Sequence, residues 1–426
     1  MTFPLIKLTL LGLCTGLLAV QLALPLNITE MTLGFLSVRA IASTPVSQAA
    51  MITPQQALER IFTASEIQAN WFAPSFLQQI SVAQLEGVLS QVTQGLGDYQ
   101  GVVETEAGFD VKFERGTVPA QLQLDGNNQI ISLFFQPAAL PLSLEQATSA
   151  IQNVPYPASL LVLKNNTEQA TVNADVPLAI GSAFKLAVLA ALQNRIQAGE
   201  LSWDTVVGLQ PAWKSLPSGM LQDWPAGTAL TLDTLATLMI AISDNTATDA
   251  LIDIVGRETL EALTPRNQPF LTTRDFFALK NPANADWLER YRQGNLSEKR
   301  QVLEATPTLP LPQESLFAGN PVSLDVEWFF TGQELCQLME QVAPLSAMRV
   351  NPGVANPANW QSVAFKGGSE PGVLNLTTWL KDSADNTYCI VTTWNNADQA
   401  LDELSLSQFH QGILSGLKDS EEIVRL

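Results

Sequence analysis

Apolar and polar positions divide the chain into three stretches. Residues 8–26 are apolar and uncharged behind Lys7, long enough to enter or span a membrane. Between 52 and 136 the pattern changes twice. Thr53–Phe62, Ala73–Ile80 and Val82–Val92 repeat apolar residues at helical spacing, whereas Asp98–Thr105, Phe109–Glu114, Ala120–Leu124 and Ile130–Phe135 alternate as strands. Asp125-Gly126-Asn127-Asn128 reads as the hairpin turn between the last two. Three helices followed by a four-stranded antiparallel sheet make a small α+β unit. The run Pro137-Ala138-Ala139-Leu140-Pro141 opens a linker over 137–145, and a second domain is expected over 146–420. There, Ser159–Leu163 and segments around Val363, Leu374 and Ile390 predict an antiparallel sheet, covered by helices starting near Ser182, Leu230 and Leu401.

The helix at Ser182 carries the first candidate chemistry. Ala183 to Leu192 is apolar but for Lys185, unbroken by Gly or Pro, with Gly181 just ahead. Ser182 is thus expected at a helix N-terminus, where unpaired N–H groups and the helix dipole favour an alkoxide or an acyl oxyanion. Lys185, three positions on, lies on the same face. Burial disfavours a lysine's charge, and a neutral amine can take a serine proton. This spacing is not rare: two of the ten lysines follow a serine by three positions, the other pair being Ser415 and Lys418.

Two further motifs follow in order. Thr231–Ile242 is a helical apolar pattern that ends at Ser243-Asp244-Asn245, a polar triplet suited to capping the next helix. Lys366-Gly367-Gly368 follows Val363-Ala364-Phe365 and precedes Val373–Leu380, which reads as strand, glycine turn and strand. The chain has one histidine, His410, so a serine enzyme here needs another base.

In this order the motifs resemble the class A β-lactamases and penicillin-binding proteins, whose signature is Ser-x-x-Lys, Ser-Asp-Asn and Lys-Thr-Gly. The resemblance covers roughly 150–420 and is similar to an atypical two-domain branch related to the esterase-like protein of clavulanic acid gene clusters. It implies a β-lactamase/transpeptidase-like domain of antiparallel sheet, covering helices and helical subdomain; the three helices and four-stranded sheet of 52–136 are separately similar to the nuclear-transport-factor/ketosteroid-isomerase fold, making the whole an α+β chain. The family resemblance further implies Ser182 as nucleophile, Lys185 as its base, and Ser243 as proton relay helped by the charge of Lys366. Asn245 would bond the acyl side chain or Lys185, and Gly367, Gly368 and Ser369 would line the substrate. The Ser182 and Ser369 N–H groups would form the oxyanion hole.

The resemblance implies no metal or cofactor and a small-molecule substrate: a β-lactam or related amide or ester. The alternatives are an esterase or D-alanyl peptidase acting on cell-wall fragments, and a penicillin- or peptidoglycan-binding module without turnover. Two departures bear on the choice. Gly367 stands where the family has Thr or Ser, removing a hydroxyl that helps hold a substrate carboxylate. The stretch Pro269–Lys280 lacks the Glu-x-x-Asn that positions the deacylating water, and its nearest carboxylate, Asp275, is expected to form an ion pair with Arg274. Trp213 and Trp224 are candidates for a pocket wall or for core packing.

Composition refines this picture. The net charge is −19, and without residues 1–42, which hold Lys7, Arg39 and Glu30, 20 basic against 40 acidic side chains leave −20. Such a surface repels nucleic acid and anionic lipid. The N-terminal stretch points to export, to the periplasm or outside the cell, with cleavage after Ala42 or near Ala50, or retention as a membrane anchor. Once Cys14 is lost with the signal, Cys336 and Cys389 remain, an even pair in a compartment that permits disulfides.

Overall fold

The computed structural model describes residues 52–424 apart from 79, 94–95, 106–107, 115, 136–137 and 139, so the expected export segment and its cleavage sites lie outside the described residues. The chain divides into two compact units at Leu140/Pro141.

In the first unit, helices α1 (Pro54–Thr63), α2 (Pro74–Leu77) and α3 (Val82–Val92) precede strands β1 (Tyr99–Thr105), β2 (Gly108–Phe113), β3 (Gly116–Leu124) and β4 (Ile130–Phe135). The strands pair antiparallel in sequence order. Thr53 caps α1 in a capping box with Gln56 and Pro54 opens the helix, because a proline there gives up only an N–H that has no helical partner. Asp125 Oδ1 accepts the Asn127 and Gln129 N–H groups at 2.8 Å each, closing the β3–β4 turn. Leu58, Phe72, Phe76, Val111, Val118 and Ile130 form its core.

The second unit opens with α4 (Leu144–Gln152), β5 (Ala158–Lys164), β6 (Thr167–Val172) and β7 (Leu178–Ala179). A 3₁₀ turn, Gly181–Phe184, leads into α5 (Lys185–Gln197); β8 (Val206–Gly208), β9 (Ala229–Thr231), α6 (Leu232–Ala241), α7 (Asn245–Val255) and α8 (Arg257–Leu263) follow. Then come α9 (Thr273–Lys280), α10 (Ala285–Gln293), α11 (Leu296–Ala305), β10 (Phe329–Phe330) and α12 (Gly332–Val342). The unit closes with β11 (Ser362–Glu370), β12 (Val373–Lys381), β13 (Thr387–Asn395) and α13 (Glu403–Val424).

Five strands form one antiparallel sheet in the order β11-β12-β13-β5-β6. Alternation along β5 sends Leu161 into a core with α5 and α12, and Leu160 and Val162 into a second core with α4 and α13. Both faces are covered, so the strand reads as a continuous apolar run. The edge strand β6 went unread because its largely exposed residues, Thr167-Glu168-Gln169, lack a buried stripe. Helix α5 is buried from Lys185 through Gln193, as expected of a helix that is apolar nearly all round.

Two readings of this unit need correction. The α-helix begins at Lys185, and Ser182 sits in the 3₁₀ turn before it. Lys366-Gly367-Gly368 lies inside β11, and the chain reverses beyond it at Pro371-Gly372, where Gly372 adopts φ 83°. Local composition favoured a turn at the paired glycines; the pairing of β11 with β12 from Ser362↔Lys381 to Glu370↔Val373 keeps them extended.

Cys336 on α12 and Cys389 on β13 form a disulfide with Cα atoms 5.9 Å apart, tying helix to sheet. Closing a loop of 53 residues is worth about 4 kcal/mol if the gain is entropic. On the opposite face His410 of α13 is fully buried, each ring nitrogen 2.8 Å from a threonine hydroxyl, Thr378 on β12 and Thr392 on β13. Burial lowers its pKa from 6.5 to about 3. Between those values the unfolded chain binds a proton that the folded chain refuses, so this group's contribution is present above pH 6.5 and is lost as pH falls toward 3, by about 4–5 kcal/mol. The difference in unfolding free energy between wild type and His410→Gln, followed by urea denaturation across pH 7 to 4, should therefore shift steadily toward the variant as pH falls; a constant difference would contradict it.

Candidate active site

Ser182 is held where the 3₁₀ turn crosses β11. Gly181 adopts φ 50°, and a methyl group added to it would meet Ser369 N at 3.2 Å. One added to Gly368 would fall 2.0 Å from Ile180 O and 2.5 Å from Ser182 N. Only glycine permits this backbone contact, which brings the N–H groups of Ser182 and Ser369 alongside one another. From the far side of the strand, the Ser369 hydroxyl donates to Glu403 at the start of α13.

Four of the sequence-derived residues meet at the Lys185 side-chain nitrogen. Lys185 Nζ lies 3.1 Å from Ser182 Oγ, 2.9 Å from Ser243 Oγ, 2.6 Å from Ser243 O and 2.7 Å from Asn245 Oδ1. Lys366 Nζ reaches the same Ser243 hydroxyl at 3.0 Å and donates to Gly367 O at 2.6 Å. Lys185, Ser243 and Lys366 are buried, while Ser182 keeps partial exposure.

The second motif is held by contacts that sequence reading missed. Ser243 takes a left-handed φ of 58°, uncommon for a serine and of order 1 kcal/mol in cost. Its carbonyl is fixed by the Ser218 hydroxyl at 2.8 Å as well as by Lys185. Asp244 caps α7 at the Ala247 N–H and also accepts the Met220 and Leu221 N–H groups at 2.7 and 3.0 Å. The loop can come this close because residue 219 is a glycine at φ 107°; a methyl there would lie within 2.5 Å of Asp244.

Asp249, one helical turn beyond Asn245, accepts the Thr273 and Arg274 N–H groups at 2.6 and 2.9 Å and so fastens the start of α9. Burial raises its pKa to about 7. The Thr273 hydroxyl donates to Ser215 Oγ at 2.7 Å and lies 3.3 Å from Asn245 O. The one clue in the sequence was the i, i+4 spacing of Asn245 and Asp249, which puts both on one face of α7.

Asp275 is structural, but its partner differs from the expected one. Arg257 pairs with it at 2.9 Å and the Thr306 hydroxyl donates to it, while Arg274 donates to the carbonyls of Lys214, Pro307 and Leu309. Adjacent residues of a helix diverge by about 100°, which keeps Arg274 and Asp275 on different faces. Trp213 packs in the core and donates to Asp253 at 2.9 Å, whereas Trp224 is half-buried.

This geometry can be set beside known proteins. Residues 146–302 match the Beta-lactamase enzyme family. The β-lactamase-like match takes in Ser182, Lys185, Ser243 and Asn245 and stops before Lys366, which joins them through β11. Beta-lactamase VEB-1 of Pseudomonas aeruginosa is 26% identical over 176 residues, 38% of this chain and 56% of its own length, so the chain spans just over half of that relative. Among solved structures, the β-lactamase of Sphaerobacter thermophilus is 20% identical with TM-score 0.46, covering 66% of this chain and 96% of its own. The structure of PBP-A is 17% identical with TM-score 0.44, covering 66% and 99%. The resemblance to class A β-lactamases and penicillin-binding proteins thus rests on a matched β-lactamase region as well as on three motifs.

Substituting Gly368→Ala tests the backbone crossing. The methyl has no room, so stability should fall by about 1–3 kcal/mol. Thermal melts at wild-type levels would show that the crossing is not this tight.

Proposed function

We propose that residues 141–424 are a serine acyl-transfer enzyme that forms an acyl-enzyme on Ser182 with a β-lactam or a related amide or ester. The surroundings of Lys185 Nζ carry the reading. Two neighbours, Ser243 O at 2.6 Å and Asn245 Oδ1 at 2.7 Å, are acceptors with no hydrogen to give. Once the amine is neutral, its two N–H bonds can satisfy these acceptors and leave its lone pair for the Ser182 hydroxyl, 3.1 Å away. As Ser182 Oγ bonds to the substrate carbonyl carbon, its proton moves to Lys185. Collapse of the intermediate breaks the amide or ester bond, and the proton passes by way of Ser243 Oγ to the leaving nitrogen or oxygen. Lys366, 3.0 Å from that hydroxyl, steadies the developing charge. The Ser182 and Ser369 N–H groups supply the oxyanion hole.

Release of the acyl group is the slower half of this cycle. The carboxylates around the site are otherwise engaged: Asp244 and Asp249 with backbone N–H groups, Asp275 with Arg257, Glu403 with Ser369. This supports a long-lived acyl-enzyme, and with it the second reading, a penicillin- or peptidoglycan-binding module. Gly367, lacking a hydroxyl for a substrate carboxylate, favours esters or D-alanyl peptides as the alternative substrates.

The first unit we take as a nuclear-transport-factor/ketosteroid-isomerase-like packing or gating module. Export of the chain is supported by the Cys336–Cys389 disulfide, since such bonds persist in oxidising compartments. Thiol titration of fractionated cells should find both cysteines oxidised and outside the cytosol; free thiols in a cytosolic protein would sink the export reading.

Intact-mass spectrometry after mixing with benzylpenicillin tests the acyl-enzyme. The expected result is a stoichiometric adduct that decays slowly, is absent in Ser182→Ala, and forms roughly a thousandfold or more slowly in Lys185→Met, because the two groups act as a unit. An adduct on Ser182→Ala would refute the assignment. Rapid loss of the adduct would select a β-lactamase, and no adduct with ester turnover the esterase. The same comparison without residues 52–140 reads the module's effect on acylation rate.

A further inference from the structure

Outside the catalytic cluster the described part of the second unit buries another set of charges. Lys280, the last residue of α9, places Nζ 2.6 Å from Glu370 Oε1 and 3.3 Å from Glu327 Oε1, with side chains 0%, 10% and 0% exposed respectively. The same ammonium stands 4.0 Å from the centre of the Phe276 ring. That ring stacks on Trp328 at 5.1 Å, and Trp328 on Phe184, the neighbour of Lys185, at 3.7 Å. Burial and then the Glu370 charge hold the Glu327 carboxyl well above the usual carboxylate range. The shorter contact, 2.6 Å against 3.3 Å, makes Glu370 the nearer partner of Lys280.

We propose that Lys280 and Glu370, with Glu327 behind them, are positioning residues that make α9 a strut between the two walls of the active site and so hold Ser369 in register with Ser182. The inference rests on the Ser182 acyl-enzyme reading. Its first ground is placement. The N-terminal end of α9 is fastened to Asp249 and lies against Asn245 through Thr273; its C-terminal end is fastened to Glu370, the residue after Ser369. Eight residues of helix, about 12 Å long, therefore join the wall that carries the second motif to the strand that carries the third.

The second ground is energetic. Burying an ion pair seldom stabilises a fold more than apolar packing of equal volume would. A geometric role accounts for it better. β11 has two consecutive glycines at 367 and 368; the close approach to the 3₁₀ turn requires Gly368, and the pair leaves the strand with the largest backbone entropy to lose. Anchors on both sides of the following residues, Glu403 on Ser369 and Lys280 on Glu370, compensate for that freedom.

The test uses the full chain and a fluorophosphonate, on whose phosphorus Ser182 Oγ displaces fluoride while Lys185 takes the hydroxyl proton. Lys280→Met and Glu370→Gln should each lower the maximal phosphonylation rate roughly 10- to 100-fold, with little change in the half-saturating concentration. The double variant should be no slower than the worse single one, and Glu327→Gln, which keeps a side chain of the same size at the more distant 3.3 Å contact, should stay within about threefold of wild type. Hydrogen exchange should show amides of 366–370 and 273–280 losing protection together. Wild-type rates in Lys280→Met, or additive losses in the double variant, would overturn the proposal. Should Lys280→Met not fold, Glu370→Gln carries the comparison alone. Should Ser182→Ala react as fast as wild type, it is the Ser182 reading that has failed; hydrogen exchange then decides the strut, and unchanged protection in Glu370→Gln overturns it.

Discussion

Lys185 Nζ is the point at which the second unit is tied together. The side chain leaves the first turn of a helix that is buried along most of its length, and it touches Ser182 on its own segment and Ser243 and Asn245 on another. A fully buried amine must find partners or lose stability. Here the partners are two hydroxyls, a backbone carbonyl and an amide oxygen. Burial of α5 in the core, the left-handed turn at Ser243 and the capping of α7 by Asp244 all converge on this requirement.

Close backbone approach is the complementary constraint. Ser182 and Ser369 meet because Gly181 and Gly368 have no side chains to separate the 3₁₀ turn from β11. The same device recurs at Gly219, which lets the 217–221 loop close on Asp244. These glycines remove steric bulk at the cost of backbone entropy, and polar side chains in their neighbourhood, Glu403, Lys280 and Ser218, restrain what the glycines leave free. The disulfide between α12 and β13 and the buried His410 between α13 and the sheet brace the two faces from which this arrangement is built.

Legibility in the sequence followed the range of the interaction. The helices and strands of the first unit could be named because each depends on spacing within a few residues, and Ser182, Lys185, Ser243 and Asn245 because their short motifs occur in the order of a known family. Lys366 could be named from the order of motifs, but its placement in mid-strand could not, since paired glycines look like a turn until β12 pairs with them. Asp275 was assigned to Arg274 because they are neighbours in sequence; the true partner, Arg257, is 18 positions away.

By itself, then, the sequence determined most of the elements and the cap at the second motif, since local sterics and hydrophobic periodicity suffice for these, while the candidate nucleophile, its lysine and the second motif rested on the order of three motifs and their resemblance to a known family. Tertiary structure alone decided that Lys185 and Lys366 share the Ser243 hydroxyl, that Cys336 meets Cys389, that Asp249 fastens α9, and that Lys280 and Glu370 are joined across 90 positions. Such pairings are set by which surfaces bury against which, and no local pattern of residues encodes where a distant segment will come to rest.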